Sequence, residues 1–304
     1  MLSRVIIPLC ICSFTLFMGC QKTGAAVTDE QPAEPVETQV VEQSMEPAME
    51  ESGEPDVPGA EQEEAPVEEA PPVVGTVHDA FDGLLKTHVS AESGMVDYDG
   101  LKSNEAQLDA YLQEVIAAAN MADLSEDEQF AFYINAYNAY TIKLILERYP
   151  KLKSITDYKE PWKQKRWNVA GETLSLDQIE HEKLRPVFKD PRIHFAVNCA
   201  SVGCPPLRAE AYVASTLEQQ LEAATKQTLT QTKYVEVKKG KLYLTKILEW
   251  YGKDFVNPEF KGHAESVAQY VARYASDDVV ELVNAKGAKT PVRYKSYDWN
   301  LNKQ

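Results

Sequence analysis

Aromatic residues are missing from one long stretch of this chain of 304 residues: none occurs between residues 21 and 75. The same stretch holds a single basic residue, Lys22, against fifteen Asp or Glu and eight prolines. Such a composition cannot bury enough apolar surface to offset the entropy of ordering, so the stretch is predicted to be a disordered tether. As a flexible coil its 55 residues span about 40 Å, and charge repulsion and proline lengthen that. Cysteine is scarce as well, with Cys10, Cys12, Cys20, Cys199 and Cys204 the only five. No basic stripe is present, which argues against nucleic acid as a partner. No internal repeat and no second linker interrupt the chain beyond the tether. The tether carries −14 of the formal net charge of −16 and Arg4 adds +1, which leaves −3 for residues 76–304. The acidic balance therefore belongs to the tether, and the 229 residues after it are near neutral and long enough for one domain with a real core.

The first nineteen residues have the three parts of an export signal: Arg4, the apolar run from Val5 to Met18, and the small residue Gly19. The run is about fourteen residues, short of the roughly 20 that span a bilayer as a helix. Phe17-Met18-Gly19-Cys20 resembles the lipobox of bacterial lipoproteins, with Phe17 where Leu is usual. The resemblance implies that Cys20 is lipidated (palmitate among the acyl groups) and becomes the new N-terminus. It also implies a membrane anchor in the cell envelope, made stable by two or more acyl chains. Gln21 stands where an Asp would resemble an inner-membrane retention signal, so the outer membrane is the expected destination. The expected organisation is a signal over 1–19, the lipidated cysteine and tether over 20–75, and a globular domain over 76–304. Only Cys199 and Cys204 then remain in the domain, and in an oxidising compartment they are candidates for a disulfide.

Within the domain, Phe81, Leu84, Leu85 and Val89 recur at helical spacing over 78–89, and Leu108, Tyr111, Leu112 and Val115 over 104–119. Ser125 and Glu128 form a capping-box pattern that opens the strongest helix, through Phe130, Ile134, Tyr137, Leu144 and Ile145 to Arg148 before Pro150. Asn135 and Asn138 lie on one edge of it, where asparagine is costly unless it holds something in place: a neighbouring loop, or a site. A second capping box, Ser175 with Gln178, opens a helix on which Asp177, His181 and Arg185 share a stripe. The fold class expected is mixed α/β (α+β), a helix-rich single domain with a small sheet. Its strands are placed near 193–198, 234–237, 241–244 and 292–299, with helices near 247–251 and 265–274. The helices over 126–148 and 176–185 should pack against the strand at 193–199.

Phe132-Tyr133-Ile134-Asn135-Ala136-Tyr137-Asn138-Ala139, Ile179-Glu180-His181 with Leu184-Arg185, and Asp190 through Ser201 leading to Cys204-Pro205-Pro206-Leu207 closely resemble the domain-of-unknown-function 547 (DUF547) family. Val96-Asp97-Tyr98 and Trp299-Asn300-Leu301-Asn302 extend the likeness over most of 78–304. The resemblance implies a domain and candidate positions, but no reaction.

The candidate catalytic residues are Cys199, His181, His194, Asn135 and Asn138. Strand alternation would put His194 and Cys199 on opposite faces, and a helix would also separate them, so His181, oriented by Asp177, is expected to be the partner of Cys199 unless a kink at the strand end reverses that preference. Three readings compete. The first is a binding or scaffolding module braced by a Cys199–Cys204 bridge, whose partner is an envelope protein or peptide-like ligand. The second is a cysteine-dependent hydrolase or acyl transferase acting on peptide-like envelope substrates. The third, a metal site of His181, His194 and the two cysteines, is weakened by a C-x4-C spacing unusual for zinc. No metal and no cofactor is expected.

Overall fold

The structure is a computed structural model, and it describes residues 75–304. The chain divides into two units, Met1–Glu68 and Glu69–Gln304, and the described residues belong to the second. The expected signal, the lipidation of Cys20 and the tether up to residue 74 lie outside the described residues. Among those residues no helix is long and apolar enough to cross a membrane.

The domain is mixed α+β, with helices far outweighing two small sheets. Three helices, α1 (Asp79–His88), α2 (Tyr98–Ser103) and α3 (Glu105–Tyr111), lead to α4 (Glu126–Leu146). The capping box at the start of α4 forms as its sequence predicts. The Ser125 Oγ accepts the Glu128 N–H at 3.4 Å, and the Glu128 carboxylate accepts the Ser125 N–H at 2.8 Å. From Phe130 onward this helix is buried on nearly every side, so it is the axis of a core and not a surface helix. Phe81, Leu85, Tyr98, Leu101, Leu108 and Tyr111 from the earlier helices pack in the same core.

After α4 comes a hairpin that sequence patterning did not anticipate, β1 (Trp167–Val169) with β2 (Glu172–Leu174), turning at Ala170 and Gly171, both at positive φ. Its strands are three residues each, too short for alternation to register. The second capping box forms at α5 (Leu176–Gln178), and a π-turn over Ile179–Leu184 passes into α6 (Arg185–Phe188).

The expected strand near 193–198 is not a strand. Ile193–Ala196 is a short helix, α7, and the backbone becomes extended only at Val197. Ile193, His194, Phe195 and Ala196 are all buried. A short apolar run buried on all sides carries no periodicity that separates strand from helix, which is why alternation misled.

Helix α8 (Leu217–Leu229) precedes the expected hairpin, β3 (Val235–Lys238) with β4 (Lys241–Leu244), which turns at Lys239-Gly240 with both residues at positive φ. Four helices follow: α9 (Ile247–Trp250), α10 (Gly252–Val256), α11 (Val267–Ala272) and α12 (Asp277–Lys286). The closing strand is shorter than expected: β5 spans Val292–Tyr294 and runs parallel to β4. The remaining residues return to the first helices through isolated bridges, Ser154 to Asn300, Ser201 to Leu301 and Val96 to Lys303.

These elements make two cores, one around α4 and one formed by the β3–β4 hairpin with α10 to α12. Helix α7 is common to both, because Ile193 and Ala196 belong to the first and Phe195 to the second.

Candidate active site

The two asparagines of α4 fix the backbone on which the thiols sit. Asn138 donates from Nδ2 to the Ala196 carbonyl at 3.0 Å and accepts the Asn198 N–H at 2.9 Å. Asn135 does the same for Tyr212, at 2.8 and 2.9 Å. Each amide is spent on backbone and neither lines the cleft, so the catalytic role considered for them gives way to the bracing one. Asn198 continues the brace, accepting the Ala200 N–H and donating to the Pro205 carbonyl, both at 2.8 Å. The chain reverses at Ala200, which is left-handed at φ +60°. Gly203 donates to the Asp298 carbonyl at 2.8 Å, and a Cβ there would lie 2.9 Å from the Asp298 nitrogen. The C-terminal segment could not pass so close to any other residue.

This turn brings Cys199 and Cys204 together as thiols with their sulfurs 2.7 Å apart. Cys204 is buried and its sulfur accepts the Cys199 N–H at 3.0 Å. Cys199 is half-buried, with Ser201 Oγ at 3.1 Å and Tyr297 Oη at 3.2 Å from its sulfur. The Cys204 sulfur beside it, together with burial, pushes the Cys199 thiol up. Burial opposes ionisation of Cys204, but hydrogen bonding from the Cys199 thiol, and less from the Tyr297 hydroxyl and the Cys199 N–H, brings it down to about 7.

Cys199 lines a cleft of about 520 Å³ that also takes in Cys204, His181 and His194. The two histidines differ in what they have left to offer. His181 is partly exposed; its Nδ1 accepts from Arg185 Nη1 at 2.8 Å, and its Nε2 lies 3.6 Å from Asp177. A guanidinium only donates, so the basic nitrogen of His181 is occupied. His194 is buried, and its Nε2 lies 2.8 Å from Asp254 Oδ2. Burial opposes ionisation of Asp254, but hydrogen bonds from His194 and from Arg185, at 2.8 and 2.9 Å, outweigh it and hold the carboxyl well below the usual carboxylate range. Asp254 is therefore an acceptor, Nε2 carries the proton, and Nδ1 is bare. That nitrogen is buried and has no hydrogen-bond partner among the described residues. Burial pushes the imidazole below its ordinary value against the pull of Asp254 and Glu180, so the ring is neutral at pH 7. Tyr251 stacks on it at 3.9 Å between centroids.

The cleft lining thus includes Cys199, His181 and His194. Neither histidine is hydrogen-bonded to the Cys199 sulfur. Sequence reasoning missed Asp254, Tyr251 and Tyr297, which follow no motif or spacing. It also passed over Glu180, although Glu180 stands beside His181 in one of the runs that carry the family likeness. Among the described residues no group of three or more His, Cys, Asp or Glu could hold a metal ion, so the metal reading finds no donor set there.

The fold and cleft define a helix-rich α+β domain with paired thiols and a carboxylate-held imidazole in one cavity. Residues 121–229 match the family model described as "Protein of unknown function, DUF547", and the chain carries that domain, as its sequence motifs anticipate. No curated protein and no solved structure matches the chain.

Proposed function

We propose that the cleft is the active site of a cysteine-dependent hydrolase or acyl transferase, with Cys199 as nucleophile and His194, held by Asp254, as general base. The observation that carries this reading is the His194 ring: one nitrogen is fixed on a buried carboxylate, the other is buried without a hydrogen-bond partner among the described residues, and the residue lines the cavity that Cys199 also lines. In the acylation step Cys199 Sγ bonds to the substrate carbonyl carbon and its proton passes to His194 Nδ1, while Asp254 stabilises the imidazolium. The leaving group departs with the electron pair of the broken C–N or C–O bond and takes the proton from His194. Water or an amine then attacks the thioester carbon and gives its proton to His194, the C–S bond breaks with its electron pair passing to Cys199 Sγ, and the proton returns to that sulfur. Hydrogen bonds of this kind often tighten only in the substrate complex, which accounts for their absence in the free protein.

The test is a burst of p-nitrophenolate from p-nitrophenyl acetate, stoichiometric with protein, and an acetyl group found by mass on Cys199. Both are lost in Cys199→Ala. Absence of acylation with both thiols reduced would remove this reading.

A second reading rests on the 2.7 Å contact between the sulfurs. Oxidised by an envelope disulfide donor, the pair becomes a bridge and the domain a binding or scaffolding module for an envelope protein or peptide-like ligand. Resistance to iodoacetamide until reduction, without any acylation afterwards, is the result that favours it. For either reading the place of action we propose is the bacterial envelope, through a lipid on Cys20, supported by the N-terminal sequence alone. Cys20→Ala should then move the protein out of the membrane fraction.

A further inference from the structure

Glu180 has a use that the acyl-transfer chemistry does not supply. It lies on the π-turn after α5, lines the cleft and is 6 % exposed. Among the described residues its carboxylate forms no ion pair. The nearby cation, Arg185, is committed to Asp254 and His181. Burial, and the Glu180 carboxylate beside it, push the Tyr251 hydroxyl far above its ordinary value, so that phenol stays neutral and cannot compensate the charge. Arg185 acts on Glu180 only through space and Tyr251 offers it a neutral hydroxyl, so the carboxylate has no ion-pair partner of its own, and a buried carboxylate in that state favours a ligand that supplies the opposite charge.

The walls specify what that something is. Trp250, 48 % exposed, lies against Tyr297 and Trp299 with centroids 4.9 and 5.8 Å away, and Trp162 lies 5.8 Å from Trp299. Aromatic faces attract ammonium groups through the ring quadrupole, and ordered aromatic walls are how such cations are recognised. The charge agrees: Glu160 and Lys163 offset each other at 3.9 Å, while Glu180 lines the same cleft with no ion-pair partner among the described residues.

We infer that the cleft takes a substrate carrying an alkylammonium group, held between Glu180 and the tryptophan wall. This rests on the cleft being the active site and names its substrate class: an amide, ester or acyl acceptor whose amine is cationic.

The full chain has four tryptophans, and three of them line the cleft, so intrinsic fluorescence reads binding directly. Titration with n-butylammonium chloride at constant ionic strength should give a saturable change, and n-pentanol should bind at least tenfold more weakly. Glu180→Gln should lose at least tenfold in affinity for the ammonium and leave the alcohol unaffected. Equal binding of the two probes by the wild type overturns the inference, as does an unchanged Glu180→Gln. Should that variant fail to fold, the wild-type comparison decides, and Trp250→Ala at the exposed rim should weaken ammonium binding several-fold. Binding needs no turnover: ammonium selectivity without acylation of Cys199 removes the thiol reading alone, and acylation without ammonium selectivity removes this inference alone.

Discussion

The two cores contribute unequally to the cleft. The core around α4 supplies the bracing amides, His181 and Glu180, and α7, on the seam, carries His194 and leads into Cys199. The core of the β3–β4 hairpin and the last helices contributes no thiol and no histidine to the cleft, but it supplies Asp254 and Tyr251, which fix the His194 ring. The family match ends at residue 229, the end of α8, and so contains both thiols and both cleft histidines and excludes Asp254, which holds the His194 ring. The first core is a frame for the backbone of the cleft, whereas the second sets the electrostatics of one imidazole.

The largest effect is expected from removing the one side chain that reaches across. Asp254→Ala leaves the Arg185 guanidinium and the His194 Nε2 proton without their acceptor. Breaking a buried ion pair from one side costs roughly 3–5 kcal/mol, and denaturant unfolding should show that loss. The wild type should show the same interaction in acid. The folded pKa of Asp254 lies below its unfolded value, so its stabilisation is complete above about pH 5 and fades as pH falls below about 4. If Asp254→Ala unfolds at the wild-type midpoint, the seam is not held by this pair.

Elements of both cores were legible in the sequence: α1 and α4 in the first, and the β3–β4 hairpin, α9 and α11 in the second. The capping boxes at Ser125 and Ser175 and the apolar spacing of α1 and α4 are local signals, written within a few residues of where they act. The helix at 193–196 was hidden because burial on all sides erases periodicity. Asp254 was hidden because its partners, Arg185 and His194, lie 69 and 60 residues away. Cys199 and both histidines could be named from residue type and motif, but the choice between the histidines depended on which ring nitrogen was occupied, and that is set by tertiary contacts.

His78 gives the first core an acid-sensitive group of its own. Its Nδ1 lies 2.8 Å from the Tyr111 hydroxyl, and burial, only partly opposed by Asp79, pushes its pKa down to about 4. The folded state then prefers the neutral ring while the unfolded chain takes up a proton near pH 6.5, so stability is full above that pH and falls as pH drops toward 4. At about 1.4 kcal/mol per unit the loss approaches 3 kcal/mol at pH 4. It precedes the Asp254 loss on acidification, which separates the two regions by pH. Unfolding free energies at pH 7 and 4.5 should differ less in His78→Gln than in the wild type, and equal differences would show that His78 is not the titrating group.

The smallest effect leaves the seam alone. Ser125 caps α4 through its Oγ, and its loss should destabilise the helix start by about 1 kcal/mol, a few degrees in thermal midpoint for a domain of this size. Asn138, the brace of the thiol turn, lies thirteen residues further along the same helix, about 20 Å at the ordinary helical rise. Fraying of one end does not propagate over that length when the helix between is buried in a packed core. Ser125→Ala should therefore lower the midpoint and leave the alkylation rate of Cys199 by iodoacetamide unchanged, whereas Asp254→Ala should alter both. Equal changes in Cys199 reactivity from the two variants would mean that reactivity follows global stability, and the frame and the electrostatic half would no longer be separable.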